Sequence, residues 1–249
     1  MKSFLANHLS RRGRIIGEFF LIVIGVLVAF TVETTLDERQ NEQLRDEYYS
    51  RVRADLISDK SAIESRIEFF ELVEQFNQDI LDWLESDAAV SQDVLLAAFY
   101  AAEVWPFVPN ISTYQDLQST GNIRLMDNID FRTSLAAYYN KAGASASGFN
   151  PSEDYRQIVR GVIPSRIQAQ IRVNCPTTDD RDQRPTGFPP CALANVNYEQ
   201  LTALFLPLKN DDLFRQTLTY RTSELGVMIY LLSQQLQFAD EVLQYIPSL

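Results

Sequence analysis

The sequence predicts an all-α protein, in which one N-terminal transmembrane helix continues into an elongated extracytoplasmic helical bundle. Fourteen of the eighteen residues in the run 15–32, IIGEFFLIVIGVLVAFTV, are Ile, Leu, Val, Phe or Ala. At about 1.5 Å per residue this run is roughly 27 Å long, enough for the hydrocarbon core of a bilayer. Between Glu33 and Glu85 neither Gly nor Pro occurs, and apolar residues recur at the helical period, so the helix is expected to continue out of the membrane.

The charges on either side of the apolar run predict its orientation. The basic residues before it are Lys2, Arg11, Arg12 and Arg14, with no acidic residue among them, and the acidic residues that follow are Glu33, Asp37 and Glu38. The basic side stays in the cytoplasm. We therefore expect a cytoplasmic tail at 1–14, a transmembrane helix at 15–35 and a periplasmic domain at 36–249, in a bacterial inner membrane.

A cleaved signal peptide is the rival interpretation of the same run. The apolar core of a signal peptide usually has about 7–15 residues and is followed by a small-x-small cleavage site. Here the run is longer, and Phe30 stands where a small residue would be needed. We therefore expect a retained signal anchor.

The composition narrows the classes of partner. The chain has 249 residues and a net charge of −11, and the part after residue 32 keeps 18 basic and 32 acidic residues, a net charge of −14. Such a domain repels nucleic acid and anionic lipid, so neither is expected as a partner. The external part is long enough for one sizeable core or two small ones.

Within the span, Gly17, Leu21, Gly25 and Ala29 follow one another at four-residue steps and so share one helix face. Small residues at this spacing let a second transmembrane helix approach closely. Glu18 is an ionisable group inside the span, which is costly in a bilayer. It either pairs with Arg14 along its own helix or accepts hydrogen bonds from a partner helix, and the sequence leaves both open.

The external domain divides into helices at its breakers and caps. A sparse apolar stripe over 36–48 predicts a stalk, and a wider stripe from Tyr49 predicts entry into a bundle. Ser91 is expected to cap a helix from 92 to about 105. Ser112 or Thr113 would cap a helix through Thr120, with Gly121 left-handed after it.

The second half of the chain continues the pattern. Asp127 or Asn128 is expected to cap a helix to about 141, with a flexible turn at 143–148, GASASG. A helix from about 151 to 173, kinked at Pro164, should precede a proline-rich loop at 174–195. Asn197 would cap a helix to 205. Asn210 would cap a last helix to about 246, which is expected to pack antiparallel to the first.

Cys175 and Cys191 are the two cysteines of the chain. In an oxidising periplasm we expect them to form a disulfide, which would stabilise the fold by roughly 3 kcal/mol. The alternatives are two free thiols or a metal pair. No His lies between them, so a metal site is not expected there.

Two segments of the chain, GEFFLIVIGVLVA at 17–29 and TYQDLQSTGNIRLM at 113–126, are distinctive as a pair. They resemble the DUF6090 family of uncharacterised bacterial single-pass membrane proteins. The resemblance implies a single-pass membrane protein with a helical domain and brings no known activity. It also implies that Glu18 and the turn containing Tyr114, Gly121, Asn122 and Arg124 matter beyond this chain.

The motifs argue against an enzyme. No His lies after His8, and no glycine-rich phosphate loop, HExxH or GxSxG sequence occurs. We expect no catalytic residues, cofactor or metal. The expected function is that of an accessory or scaffold subunit, bound to a larger inner-membrane complex, to copies of itself, or to both.

The alternative function is a periplasmic ligand sensor that signals through a separate membrane partner. Its ligand would bind between helices, with Tyr114, Arg124, Tyr138 and Tyr139 as candidate contacts. The competing interpretation of these aromatic residues is that they belong to the core. A polar pocket near Arg124 would favour the sensor, and an apolar external face would favour the scaffold.

Overall fold

The computed structural model describes residues 2–148, 153–175 and 191–247, and the side chains within 20–142, 154–175 and 191–247. This part of the chain has eight α-helices, one 3₁₀ turn and no strand, which confirms the all-α prediction. The helices are α1 (Lys2–Glu85), α2 (Gln92–Tyr100), α3 (Ser112–Ser119), α4 (Ile129–Gly148), α5 (Glu153–Val162), α6 (Ser165–Asn174), α7 (Tyr198–Lys209) and α8 (Asp212–Gln244). The 3₁₀ turn, Asn122–Leu125, lies between α3 and α4.

Helix α1 is continuous for 84 residues, about 125 Å at the usual helical rise. Its part Phe20–Glu85 contains a run long and apolar enough to cross a membrane, and none of that run is buried within the chain. From Phe20 to Gln43 every side chain except the partly buried Val23 is exposed, and Tyr48 and Tyr49 are the first that are buried. One helix therefore supplies the candidate span, an exposed segment and the backbone of the bundle.

Helix α8 packs antiparallel to α1, as predicted. Its beginning lies at the far end of α1, where Arg215 Nη1 is 3.5 Å from Glu85 Oε1. Its end lies farther back along α1, on the side of the candidate span, where Lys60 pairs with Asp240. Two long helices with apolar stripes bury those stripes along their whole common length, and this sets the elongated shape of the bundle.

Apolar residues gather at both ends of the α1–α8 pair. The proximal core, nearer the candidate span, joins α1 to α3, α4 and the end of α8 through Tyr48, Tyr49, Val52, Leu56, Leu117, Met126, Phe131, Leu135 and Val242. The distal core joins α1 to α2, α5, α6, α7 and the start of α8 through Ile80, Trp83, Leu95, Phe99, Tyr155, Ile167, Leu201, Phe205 and Phe214. Two smaller clusters, around Phe70 and Ile63, connect them.

Three predicted caps, at Ser91, Asn128 and Asn197, are confirmed, and two are wrong. Ser91 and Asn197 accept hydrogen bonds from Val94 N and Gln200 N. Asp211, not Asn210, caps α8 by accepting from Leu213 N and Phe214 N. Helix α3 begins at Ser112, so Ser112 and Thr113 lie inside it, and Ile111 before it makes no side-chain cap.

Several predicted boundaries are also wrong. Helix α2 ends at Tyr100 rather than near Trp105, since the chain turns back to α1 and Arg66 Nε donates to Pro106 O. Helix α4 continues through the predicted turn 143–148, where alanines favour helix. The predicted kink at Pro164 is a break between α5 and α6, because proline lacks the amide hydrogen and restricts the residue before it. Helix α7 runs four residues beyond 205.

Candidate functional site

The predicted partner face of the span is exposed where the structure describes it. Leu21 has 71% of its surface exposed, Ala29 is exposed, and a Cβ added at Gly25 would meet nothing within 4 Å. Gly17 and Glu18 lie outside the residues whose side chains are described. This face of the span is therefore open to lipid or to another helix.

Threonines close the outer end of the apolar run. The hydroxyl groups of Thr31 and Thr35 donate to Leu27 O and Thr31 O, each at 2.8 Å. A threonine that bonds back into its own helix needs no water or partner for that hydrogen, so it is tolerated at a membrane boundary.

The motif turn after α3 binds the first buried turns of α1. Tyr48 on α1 donates its hydroxyl hydrogen to Asp116 Oδ2 at 3.1 Å and accepts from Asn122 Nδ2 at 3.1 Å. Arg51 Nη1 lies 3.2 Å from the same Asp116 oxygen. One hydroxyl group thus ties both α3 and the following turn to α1, at the point where α1 enters the bundle.

Gly121 makes this arrangement possible. Its φ is +73°, in the left-handed region that favours glycine, as predicted. The chain reverses there into the 3₁₀ turn that carries Asn122, and Met126 then enters the proximal core fully buried. Asn128 Oδ1 accepts from Asp130 N and Phe131 N and so starts α4.

A buried carboxylate joins four parts of the bundle. Asp59 on α1 is fully buried. Its Oδ1 accepts from Asn110 N and Nδ2 at 2.9 and 2.7 Å, and its Oδ2 accepts from the Tyr138 hydroxyl at 2.7 Å. Gln235 Nε2 on α8 donates to Tyr138 O. Burial raises the pKa of Asp59, and burial together with Asp59 raises the pKa of Tyr138. Both carboxylate oxygens are engaged in structural hydrogen bonds.

The aromatic residues proposed as ligand contacts lie in the core. Tyr114 stacks on Tyr139 with ring centroids 4.7 Å apart, and Tyr138 meets Tyr139 edge to face. Tyr139 donates to Asn110 O. Arg124, by contrast, is exposed on the 3₁₀ turn. The structure brings the three tyrosines together in the proximal core and leaves Arg124 apart from them at the surface.

A second buried polar group lies in the distal core. Arg221 on α8 donates from Nη2 to Glu103 O at 2.7 Å and from Nε to Ala101 O at 3.4 Å. Arg160 on α5 binds Phe99 O and Glu103 Oε1. Burial lowers the pKa of both guanidinium groups. The two cations satisfy the carbonyl groups at the end of α2, where the helix dipole favours positive charge.

Cys175 and Cys191 form a disulfide, with their Cα atoms 5.3 Å apart. Cys175 ends α6 and is buried, and its carbonyl accepts from the Tyr100 hydroxyl. The Cys191 carbonyl accepts from Gln92 Nε2. The disulfide therefore lies against both ends of α2, and the segment 176–190 between the cysteines lies outside the described residues.

Sequence reasoning missed Tyr48, Asp59, Asp116 and Arg221 as key polar contacts. Asp59 had a usable signal, because it falls in step with the apolar stripe residues Leu56 and Ile63, and a carboxylate in such a stripe is expected to be buried and paired. Arg221 falls in step with Leu218 and Leu225 in the same way. Asp116 carries no such signal on its short helix.

The comparisons with known proteins add no relative. Searches against protein-family models, curated proteins and solved structures found no match to this chain. Among the described residues, no three His, Cys, Asp or Glu side chains are grouped as a metal site requires. The resemblance to DUF6090 therefore stays a prediction.

Proposed function

We propose that this protein is a non-catalytic accessory or scaffold subunit of a larger protein complex in a bacterial inner membrane. It docks through its transmembrane helix and its periplasmic bundle, with the N-terminus in the cytoplasm. The observation that carries the proposal is the exposed face of the span, which contains Leu21 and the small residues Gly25 and Ala29. One such helix provides no transport pathway, but it provides a surface for another helix.

The state of the polar groups in the bundle also supports a scaffold. Tyr138 on α4 donates to Asp59 on α1, and Tyr139 donates to Asn110 O in the segment before α3. Tyr114 stacks on Tyr139 in the core. Three of the four residues that a sensor would use to contact its ligand, the tyrosines, are thus occupied in holding helices together, and the fourth, Arg124, lies apart from them at the surface. Helix α8 also exposes large apolar residues, among them Leu213, Tyr220 and Tyr230. An exposed apolar face is the feature expected of a scaffold.

The location follows from the same features. The disulfide is compatible with an oxidising compartment, and it lies in the part of the chain beyond the candidate span. The basic tail before the span and the acidic residues after it support a periplasmic bundle.

The test is the composition of the complex extracted from native membranes. We expect mild detergent to release the full-length chain together with a larger membrane protein in fixed ratio, identified by mass spectrometry. Glu18→Leu should reduce recovery of that protein at least tenfold, because it removes the polar group of the span. The melting temperature of the bundle should not change.

Glu33→Leu is the matched control, since it makes the same chemical change just outside the span. It should leave the recovered partner unchanged. Extraction of the wild-type chain without any second protein would contradict the accessory function.

A further inference from the structure

Helix α8 exposes apolar residues on the side that faces away from α1. Leu213, Tyr220, Val227, Tyr230 and Leu231 have between 39% and 61% of their surface exposed. Leu213, Tyr220 and Val227 are seven residues apart and so lie in one line along the helix. Water normally faces a polar side of an amphipathic helix. This outer face, the exposed residues of α8 from Leu213 to Gln237, is therefore unusual for a surface in contact with water alone.

The outer face of α8 is also free of charge. Every exposed residue of α8 from Leu213 to Gln237 is uncharged, and the charged residues of this stretch are the partly buried Arg215 and Glu224 and the buried Arg221. The chain beyond residue 32, by contrast, carries 32 acidic residues. At the same level of the bundle the exposed side of α1 carries Glu64, Glu68 and Glu71. Two copies of this acidic domain repel each other through the α1 side. The outer face of α8 is the side on which they can meet without that repulsion.

Gly226 lies in the middle of the outer face. A Cβ added there would meet nothing within 4 Å, so packing within the chain does not require glycine. Glycine also weakens a helix interior relative to alanine. A glycine on an exposed helix does permit the close approach of a second helix backbone. The large side chains of Tyr220 and Tyr230 lie on either side of Gly226 along the helix and offer contact area to a second helix.

The membrane anchor selects a second copy as the occupant. Leu225 and Met228 pack with Phe69, Phe70 and Val73 of α1, so Gly226 lies about 55 Å beyond the apolar run along α1 at 1.5 Å per residue. Copies anchored in one membrane present their outer faces at the same height. A two-fold axis normal to the membrane then brings like residues together, as in an isologous dimer. Confinement to the membrane raises the effective concentration of the two faces. The distance from the bilayer excludes lipid as the occupant.

We propose that two copies of this chain associate in parallel through the outer faces of α8, which cross near Gly226. The contact is separate from the docking surface of the span, so either can be lost without the other. The accessory subunit would then be a two-fold symmetric dimer, in which each copy offers the same docking surface on its transmembrane helix.

The first test is oxidative cross-linking of the full-length chain in native membranes and in nanodiscs. Val227→Cys is expected to give a disulfide-linked dimer of twice the monomer mass, because the two-fold axis places both copies of residue 227 near it. Glu68→Cys, exposed at the same height on α1, is the matched control and should cross-link at least tenfold less. Equal cross-linking of the two variants, or cross-linking of Val227→Cys only to a different protein, would overturn the proposal.

The second test changes the crossing point. Gly226→Leu should lower the dimer fraction at least tenfold, measured by light scattering in detergent and by photobleaching steps in nanodiscs. Its helicity should stay that of the wild type, because the added side chain meets open space within the monomer. Gly161→Leu is the matched control, since Gly161 on α5 is exposed and equally open, and it should leave the dimer intact. A dimer that survives Gly226→Leu, or a monomeric wild type, would refute the contact.

Glu18→Leu separates this proposal from the proposed function. It should reduce recovery of the larger membrane protein at least tenfold and leave Val227→Cys cross-linking unchanged. If Glu18→Leu abolished both the recovery and the cross-linking, the claim that the span and the outer face of α8 act independently would be refuted.

Discussion

The proximal and distal cores use the same two long helices but are held in different ways. In the proximal core, side-chain hydrogen bonds connect distant parts of the chain through Tyr48, Asp59 and Tyr138. In the distal core, the Cys175–Cys191 disulfide lies against both ends of α2, and Arg221 and Arg160 bind backbone carbonyl groups. The short helix α3 buries few residues, so polar bonds with defined geometry hold it in place.

This contrast suggests two roles. The proximal core lies where α1 enters the bundle, and its hydrogen bonds fix the direction in which the bundle stands on the exposed segment of α1. The distal core contains six of the eight helices found among the described residues. The disulfide holds several short helices there, each of which buries little area. Substitutions in one core should therefore loosen that core before the other.

The largest expected effect is loss of the disulfide. In Cys175→Ser/Cys191→Ser, the distal core should lose about 3 kcal/mol of local stability, because the loop between the cysteines is no longer closed in the unfolded chain. Amide hydrogen exchange of the full chain in detergent should accelerate in α2, α6 and α7. Exchange in α3 and α4 should stay close to that of the wild type. Equal acceleration at both ends would mean that the two cores unfold as one unit.

A smaller destabilisation, at the opposite end of the bundle, is expected from Tyr48→Phe. Removing this hydroxyl leaves Asn122 without its acceptor and Asp116 without one donor, at a cost of about 1–2 kcal/mol. Exchange should accelerate in α3 and α4 and not in α6. Ser50→Ala removes a hydroxyl from an exposed residue two positions along α1 and is the matched control, with no change expected at either end.

The smallest effect is a pH dependence of the proximal core. Because burial raises the pKa of Asp59 in the folded protein, the folded state binds its proton more tightly than the unfolded state does. The resulting stability is fully present below the ordinary aspartate pKa of about 3.9 and is lost as the pH rises through the folded pKa. The exchange rates in α4 should therefore rise with pH, beyond the intrinsic pH dependence of exchange, over that window.

Asp59→Asn carries no titrating carboxyl, so this part of the pH dependence should disappear in the variant. Asp116→Asn is the control, since Asp116 is partly exposed and lies outside the Asp59 cluster. A variant at residue 59 with the wild-type pH profile would show that another group titrates in the proximal core.

The sequence alone was enough for the features that depend on neighbours along the chain. The helical period gave the antiparallel pair α1 and α8, the apolar run gave the candidate span, and short-range chemistry gave the caps at Ser91 and Asn197 and the left-handed Gly121. These features are local because a helix, its caps and its apolar stripe depend on residues within a few positions.

Only the tertiary structure decided which polar residues hold the bundle together and which face remains open. Tyr48 and Asp116 are 68 residues apart, and Asp59 and Tyr138 are 79 apart. No local pattern relates such residues, because their contact depends on how α3 and α4 return to α1. The structure likewise shows which apolar residues of α8 are buried against α1, such as Leu218 and Leu225, and which form the outer face, such as Tyr220 and Val227. That division depends on the rotation of α8 about its axis, which packing against α1 determines.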